Sequence, residues 1–238
     1  VPPLFEQLAA AQTPAGLISL RRRWEPARDV YVHEVKLGDE YLMSSLFTVA
    51  EIELARLGLA AHSGDALDVV VGGLGLGCTA AAALEDDRVT TMGIVDALGE
   101  VIDWHERGLL PDSAALNDDD RARYVLGDFF AMAAGAGFDP DVPDRTWDVV
   151  LLDVDHSPRH TLRPEHASFY TTGGLRAMAR FLRPDGVFAL WSDDPPDEPF
   201  LATLRTVFPD AVAEVVWFPN FYTGEPASNT VYVGALPG

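Results

Sequence analysis

The chain is poor in cations and almost free of cysteine: 17 lysines and arginines stand against 37 aspartates and glutamates, and Cys78 is the only thiol in 238 residues. One thiol excludes an intrachain disulfide and gives no sign of an oxidising compartment. A helix start can activate a thiol, but a small, buried, inert one is the default reading of Cys78. The cation deficit leaves a net charge of −20 and a pI near 4.4. That balance argues against a nucleic-acid backbone as partner; it would attract cationic small molecules, polyamines included, but taken alone it reads first as plain solubility. No apolar run reaches the roughly 18 residues of a membrane span. Internal repeats and low-complexity tracts are missing. The opening VPPLFEQLAA lacks the charged start and long apolar core of a secretion signal. A soluble, cytoplasmic protein without membrane contact is expected.

With 48% hydrophobic residues the chain can bury a full core as one α/β domain with a small appendage. Residues 1–64 read as that appendage. They begin with Pro2-Pro3 and carry Arg21-Arg22-Arg23, which reads as a solvated face because only Trp24 interleaves. Val30, Val32, Val35 and Leu37 flank Gly38-Asp39 and predict a β-hairpin. Thr48-Val49-Ala50-Glu51 is a capping-box pattern opening a helix.

Residues 65–238 alternate strand and helix, which predicts a Rossmann-like, doubly wound, mostly parallel seven-stranded sheet. Strands are expected at 67–71, 89–95, 122–126, 147–153 and 186–191, with helices at 78–85, 99–107, 128–135 and 173–182. Leu182-Arg183-Pro184-Asp185-Gly186 reads as a helix stop. Val212 to Phe218 and Asn229 to Val233 predict a closing antiparallel pair. Between them, Asn220-Phe221-Tyr222-Thr223-Gly224 with Trp217 reads either as an aromatic lid or as a packed hairpin tip.

The organising stretch is LDVVVGGLGLG, from Leu67 to Gly77. Apolar strand, glycine loop (Gly72, Gly73, Gly75, Gly77) and small-residue helix follow in the order that admits a ligand against the backbone. The second strand ends in Asp96, about 20 residues on, where a Rossmann-type unit binds a ribose hydroxyl pair. The alternative is a cap on the next helix. In open α/β sheets ligands sit at the carboxyl ends of strands, so the remaining strand ends complete the site. Asp128 either accepts from an exocyclic amine or caps a helix, and Phe129 can stack on a base. Asp153 closes an apolar run; burial there raises a carboxyl pKa and suits a general base acting on a cationic amine. Asp155, Asp193 and Asp194 surround it with negative potential, unless they are loop caps. Asp153-Val154-Asp155 with His156 and His160 also matches a metal-binding pattern, but Pro158 breaks the helical spacing, and no metal is expected. The remaining histidines are assigned nothing.

Together these residues resemble the spermidine synthase-like branch of the adenosylmethionine-dependent transferases, most closely from Leu67 to Trp191. VVVGGLGLG is similar to that family's VLIIGGGDGG, and Val95-Asp96-Ala97-Leu98-Gly99-Glu100-Val101-Ile102 to its VEID-P-x-VI. Gly127-Asp128-Phe129 is similar to its GDG or GDA, and Asp153-Val154-Asp155-His156-Ser157-Pro158 to its D-S-x-D-P. Phe169-Tyr170 and Leu182 to Gly186 are similar to its FY and L-K-P-G-G. The resemblance implies that Asp96 holds the ribose, Asp128 the adenine amine, and Asp153 the proton of the attacking amine, with Asp155 as second acid. His156, Tyr170 and Asp193 would face the substrate. The ligands implied are decarboxylated S-adenosylmethionine or S-adenosylmethionine and a small cationic amine, and a homodimer is the family's expectation. Two positions depart: Gly75 stands where the family has the Asp that contacts the donor's amino end, and His156 stands at its second catalytic-loop Asp. An aminopropyl transferase, a methyltransferase on a small molecule, and a non-catalytic nucleoside-binding homologue are the three functional readings.

Overall fold

The strand-forming runs sort into two sheets. The computed structural model describes residues 4–13 and 16–238; Pro2-Pro3 lies outside the described residues. The first sheet is a four-stranded antiparallel meander of β1 (Phe5–Thr13), β2 (Gly16–Glu25), β3 (Val30–Leu37) and β4 (Glu40–Ser44). The expected hairpin is its β3–β4 half. The preceding pair was hidden by the arginine run, which is not a solvated face. Arg21 and Arg23 grip the two oxygens of buried Glu34 at 2.7 and 2.8 Å, and Arg22 reaches Glu6. Alternation on β2 explains the sheet, since Ile18 and Leu20 point inward with no exposure.

Helix α1 (Val49–Ala60) leads into the second sheet: β5 (Leu67–Gly72), β6 (Val89–Asp96), β7 (Ala122–Leu126), β8 (Trp147–Leu152), β9 (Leu182–Ser192), β10 (Val212–Pro219) and β11 (Pro226–Ala235). Its spatial order is β10-β11-β9-β8-β5-β6-β7. Pairing is parallel from β9 through β7 and antiparallel at β11, as expected for the closing pair. The order reverses between β5 and β8, which opens a crevice at their carboxyl ends.

Helices cover both faces, so the central strands are apolar on both. Val69 and Val71 enter one core with α1 and α2 (Cys78–Leu84), together with Ile18, Leu20 and Val35 of the small sheet. Val70 enters the other with Phe130 of α5 (Phe129–Ala134) and Leu175 of α6 (Thr172–Ala179). The residue between two neighbours on a strand faces the opposite core, as the pleat requires. Helices α3 (Gly99–Glu106), α4 (Ser113–Asn117) and α7 (Glu198–Arg205) complete the layers. No helix among the described residues is long and apolar enough to cross a membrane.

One local expectation fails and one open alternative is resolved. Leu182 to Gly186 does not end a helix; α6 stops at Ala179 and Leu182 already pairs with Trp147 of β8. Arg183 fixes that early start by bridging Asp68, at 2.6 Å, and Asp148 on the neighbouring strands. Asp185 then takes φ +61° and pairing resumes at Val187. The aromatic segment after Trp217 is a docked hairpin tip and not a lid. Phe221 packs on Phe47 with ring centroids 5.3 Å apart, and the Tyr222 hydroxyl bonds Glu25 of the small sheet.

Candidate active site

The crevice at the switch point is a cavity of about 740 Å³. Its base is the glycine loop. Gly73 sits at φ +97°, and a Cβ there would lie 2.0 Å from the Asp153 carbonyl oxygen, so only glycine lets the loop after β5 pass the chain leaving β8. The Asp153 N–H donates to Gly72 O at 2.7 Å and locks the two strand ends together. Gly73 and Gly75 line the cavity. Gly72 and Gly77 act from behind it: a Cβ on Gly72 would strike the Phe129 ring, and Gly77 takes φ +95° to start α2.

Asp96 stands at the end of β6, against this loop. Its Oδ2 accepts from the N–H groups of Leu74 (3.0 Å) and Gly75 (3.4 Å), and its Oδ1 from that of Leu98 (2.8 Å). The residue therefore both shapes the glycine loop and holds the entry to α3, and it still borders the cavity. Burial presses its pKa upward while the three N–H groups oppose that shift. Asp128 is a helix cap that also borders the cavity. Its Oδ1 caps α5 by accepting from Phe130 N and Ala131 N, while Oδ2 lies 3.7 Å from Arg163 at the cavity wall. Phe129 is not a free stacking platform: it is 3% exposed and stacked on Phe138 at 4.7 Å.

Asp153 reaches the cavity as expected. Burial raises its carboxyl to about 6, against a single opposing hydrogen bond from the Thr79 hydroxyl at 2.8 Å. Asp155, two residues on, does not line the cavity. It is 1% exposed and accepts from Leu162 N (2.7 Å), His166 Nδ1 (2.8 Å) and the Tyr170 hydroxyl (2.8 Å). Its expected catalytic role is thereby corrected to a structural one, and Tyr170, spent on Asp155, does not face substrate either. His156 and Asp193 do line the cavity, joined by the Asp193 N–H donating to His156 O at 2.7 Å. Asp194 lies outside it, 2.9 Å from His160. Among the described residues no group of three potential metal ligands is gathered.

Three cavity residues were not anticipated. Glu51 does not complete a capping box, since Thr48 makes no side-chain cap bond. Its side chain turns into the cavity, with Oε2 buried and unpartnered, and its carboxyl is raised to about 8 by burial, then by Asp153 and Asp193. A signal existed: Glu51 falls on the i, i+3, i+4, i+7 stripe with buried Leu54, Ala55 and Gly58. Trp191, at the end of β9, likewise presents a buried, unpartnered Nε1–H. His166 stacks on Phe130 at 3.9 Å beside Asp128, and no spacing in the sequence marks it. The small sheet adds Leu37, Leu42 and Met43 to the rim. Cys78 resolves as the inert alternative: burial first, then Asp112, raises its pKa well above the usual thiol range.

No protein-family model matches the chain. Among curated proteins it is 28% identical over 170 residues to a polyamine aminopropyltransferase of Bacillus mycoides, covering 71% of this chain and 56% of the relative. It is 27% identical over 195 residues to a polyamine aminopropyltransferase of Pyrobaculum neutrophilum, covering 77% and 62%. The chain thus spans less than two thirds of the length of these relatives. Among solved structures, spermidine synthase from Thermotoga maritima superposes with a TM-score of 0.71 at 17% identity, over 96% of this chain and 72% of that one. The fold is spermidine synthase-like. A spermidine synthase in complex with the transition state analogue AdoDATO superposes equally well, with a TM-score of 0.70 at 17% identity, 96% and 72% covered. Human methyltransferase-like protein 13 in complex with SAH shares the broader fold, with a TM-score of 0.51 at 21% identity, 79% and 78% covered. Within this spermidine synthase-like fold both sequence departures lie on the cavity wall. A Cβ at Gly75 would meet Met43 Sδ at 3.1 Å, so the small sheet closes over the place of the missing acid.

Proposed function

We propose that the protein transfers an aminopropyl group from decarboxylated S-adenosylmethionine to a small cationic amine, with Asp153 as proton acceptor. The observation that carries this reading is the position of Asp153: a carboxyl raised to about 6 by burial, on the wall of an adenosyl-sized cavity, beside Asp193 and Glu51. The residues present fit such a donor. Asp96 would hold the ribose hydroxyls, and Asp128 Oδ2 the exocyclic amine of the base. Gly73 and Gly75 permit close approach of the chain at the sulfonium end. Curated relatives named polyamine aminopropyltransferase support the same assignment.

When bound, the sulfonium donor supplies an electrophilic propyl carbon, from which sulfur departs with the bonding electrons as a neutral thioether. The chain's own residues supply position and proton handling. Carboxylates on one wall draw an ammonium into the cavity and orient it. Near neutral pH a carboxyl that titrates near 6 is largely ionised, so Asp153 can take a proton from the amine as its nitrogen forms the new C–N bond. Thr79 holds one oxygen of Asp153 and leaves the other free for that transfer.

Asp153→Asn tests this reading. The expected result is turnover reduced by about 10²–10⁴-fold, with binding of an adenosyl ligand retained by calorimetry. Unchanged turnover would remove Asp153 from the mechanism. Methyl transfer from S-adenosylmethionine is the second reading, favoured by Gly75, which removes a carboxylate from the donor's amino end. Product analysis with each donor separates the two.

A further inference from the structure

A buried carboxylate oxygen without a partner is costly, and a native site that keeps one is organised for something that arrives later. Glu51 Oε2 is such an atom. It lies on the cavity wall, one helix away from the glycine loop. Helix α1 packs on α2, and the Thr79 hydroxyl on α2 lies 2.8 Å from Asp153 Oδ2 and 3.2 Å from the Glu51 carbonyl oxygen. Glu51 and Asp153 therefore flank the start of α2, just beyond Gly75.

We propose that Glu51 anchors the terminal ammonium of the sulfonium donor, replacing the acid absent at Gly75, and so selects a donor that ends in an ammonium without a carboxylate. This rests on the aminopropyl-transfer reading and deepens it by assigning donor choice to a residue on α1. With the free Asp153 oxygen reserved for the attacking amine, two other carboxylates on this wall keep capacity to accept: Glu51 through Oε2 and Asp193 through the oxygen not held by Asn229 Nδ2. An ammonium has three N–H donors, and these oxygens can take two of them. A donor that still bears its α-carboxylate would bring a fourth negative group into a partly dry acidic wall, where like charges repel strongly.

The same crowding has a protonic consequence. The titratable groups facing Glu51 are Asp153 beyond β8, Asp193 beyond β9 and Cys78 on α2, which itself borders Asp112; all are acidic and none is a cation. Without a ligand the wall keeps a proton on the Glu51–Asp153 pair near neutral pH. Arrival of an ammonium supplies the missing positive charge, and the proton leaves to solvent. Methylthioadenosine, which has the adenosyl part but no amine, leaves that proton in place.

Titration calorimetry of the whole chain at pH 7 tests this, run in two buffers of different ionisation enthalpy so that proton release is read directly. The probes are decarboxylated S-adenosylmethionine, S-adenosylmethionine and methylthioadenosine, against wild type and Glu51→Gln. Wild type should bind the decarboxylated donor at least about tenfold more tightly than the carboxylated one, with release of a substantial fraction of one proton. Glu51→Gln should weaken the decarboxylated donor by about 10–100-fold, the worth of one charge-assisted hydrogen bond. It should also abolish proton release, while methylthioadenosine affinity stays within about twofold and thereby reports an intact site. Equal losses for the decarboxylated donor and methylthioadenosine would make Glu51 merely structural and overturn the proposal, as would unchanged donor affinity or unchanged proton release. If wild type binds the carboxylated donor preferentially, the aminopropyl reading itself fails and donor choice by Glu51 falls with it. That pattern is distinct from the others because it appears before any substitution is made.

Discussion

Asp153 and Asp155 are separated by one residue, yet opposite outcomes are expected from removing them. Asp155 is a buried acceptor for three donors on the returning loop, Leu162 N, His166 Nδ1 and the Tyr170 hydroxyl, all within 2.8 Å. Asp155→Ala strands all three. Each stranded donor costs about 1–3 kcal/mol, and partial relaxation keeps the total below the sum, so about 4 kcal/mol is expected. In a chain of this size that is a fall in Tm of about 8–16 °C. Asp153 is raised from 3.8 to about 6, so its folded form binds a proton more readily than its unfolded form. Stability from this group is therefore present at low pH and lost as pH rises to about 6. At neutral pH the ionised carboxylate costs about 3 kcal/mol, at 1.36 kcal/mol per pKa unit. Asp153→Asn removes that cost and weakens the bond from Thr79, leaving a net gain of about 1–2 kcal/mol. Urea denaturation at pH 7.5, followed by tryptophan fluorescence, measures both. If Asp155→Ala loses under about 1 kcal/mol, or Asp153→Asn is destabilised as strongly as Asp155→Ala, the division between a structural and a chemical aspartate is refuted.

Two further outcomes are expected. Asp96→Ala should weaken every adenosyl ligand by about 1.5–3 kcal/mol through loss of a charged acceptor; undiminished affinity by calorimetry removes its ribose role. Glu51, raised to about 8, should make wild type lose stability as pH climbs from its unfolded value to about 8, so that by pH 9 Glu51→Gln is the more stable by about 2–4 kcal/mol. Parallel stability–pH curves for the two proteins would show that the Glu51 carboxyl is not held in a protonated, buried state.

Much of the fold is legible along the chain. Val69 to Val71, Val149 to Leu152 and the alternating helices announce a sheet buried on both faces, and the strands of that sheet fall within a residue or two of the expected ones except at β9 and β11, which start four and three residues early. The glycine run with Asp96 and the terminal position of Asp153 are equally local signals, because a strand end that carries a carboxylate opens into the crevice of any such sheet. The early start of β9 was not legible. It depends on Arg183 reaching Asp68 on β5, 115 residues earlier, and no local pattern of Pro and Gly records that partner.

What the sequence by itself determined is the sheet, its switch point and the set of acidic groups available there, all encoded by periodicity and by neighbours in the chain. Only the tertiary structure decided which of those groups face the cavity. Asp155 has the alternation expected of a residue on the same side as Asp153, but the strand ends at Leu152, and the loop returns so that its donors close around Asp155. Glu51 reads locally as a helix cap, yet the packing of α1 against α2 turns its stripe toward Asp153. The physical reason is the same in both cases. A carboxylate's role depends on which distant donors and charges surround it, and those are brought together only when the helices and loops pack on the sheet.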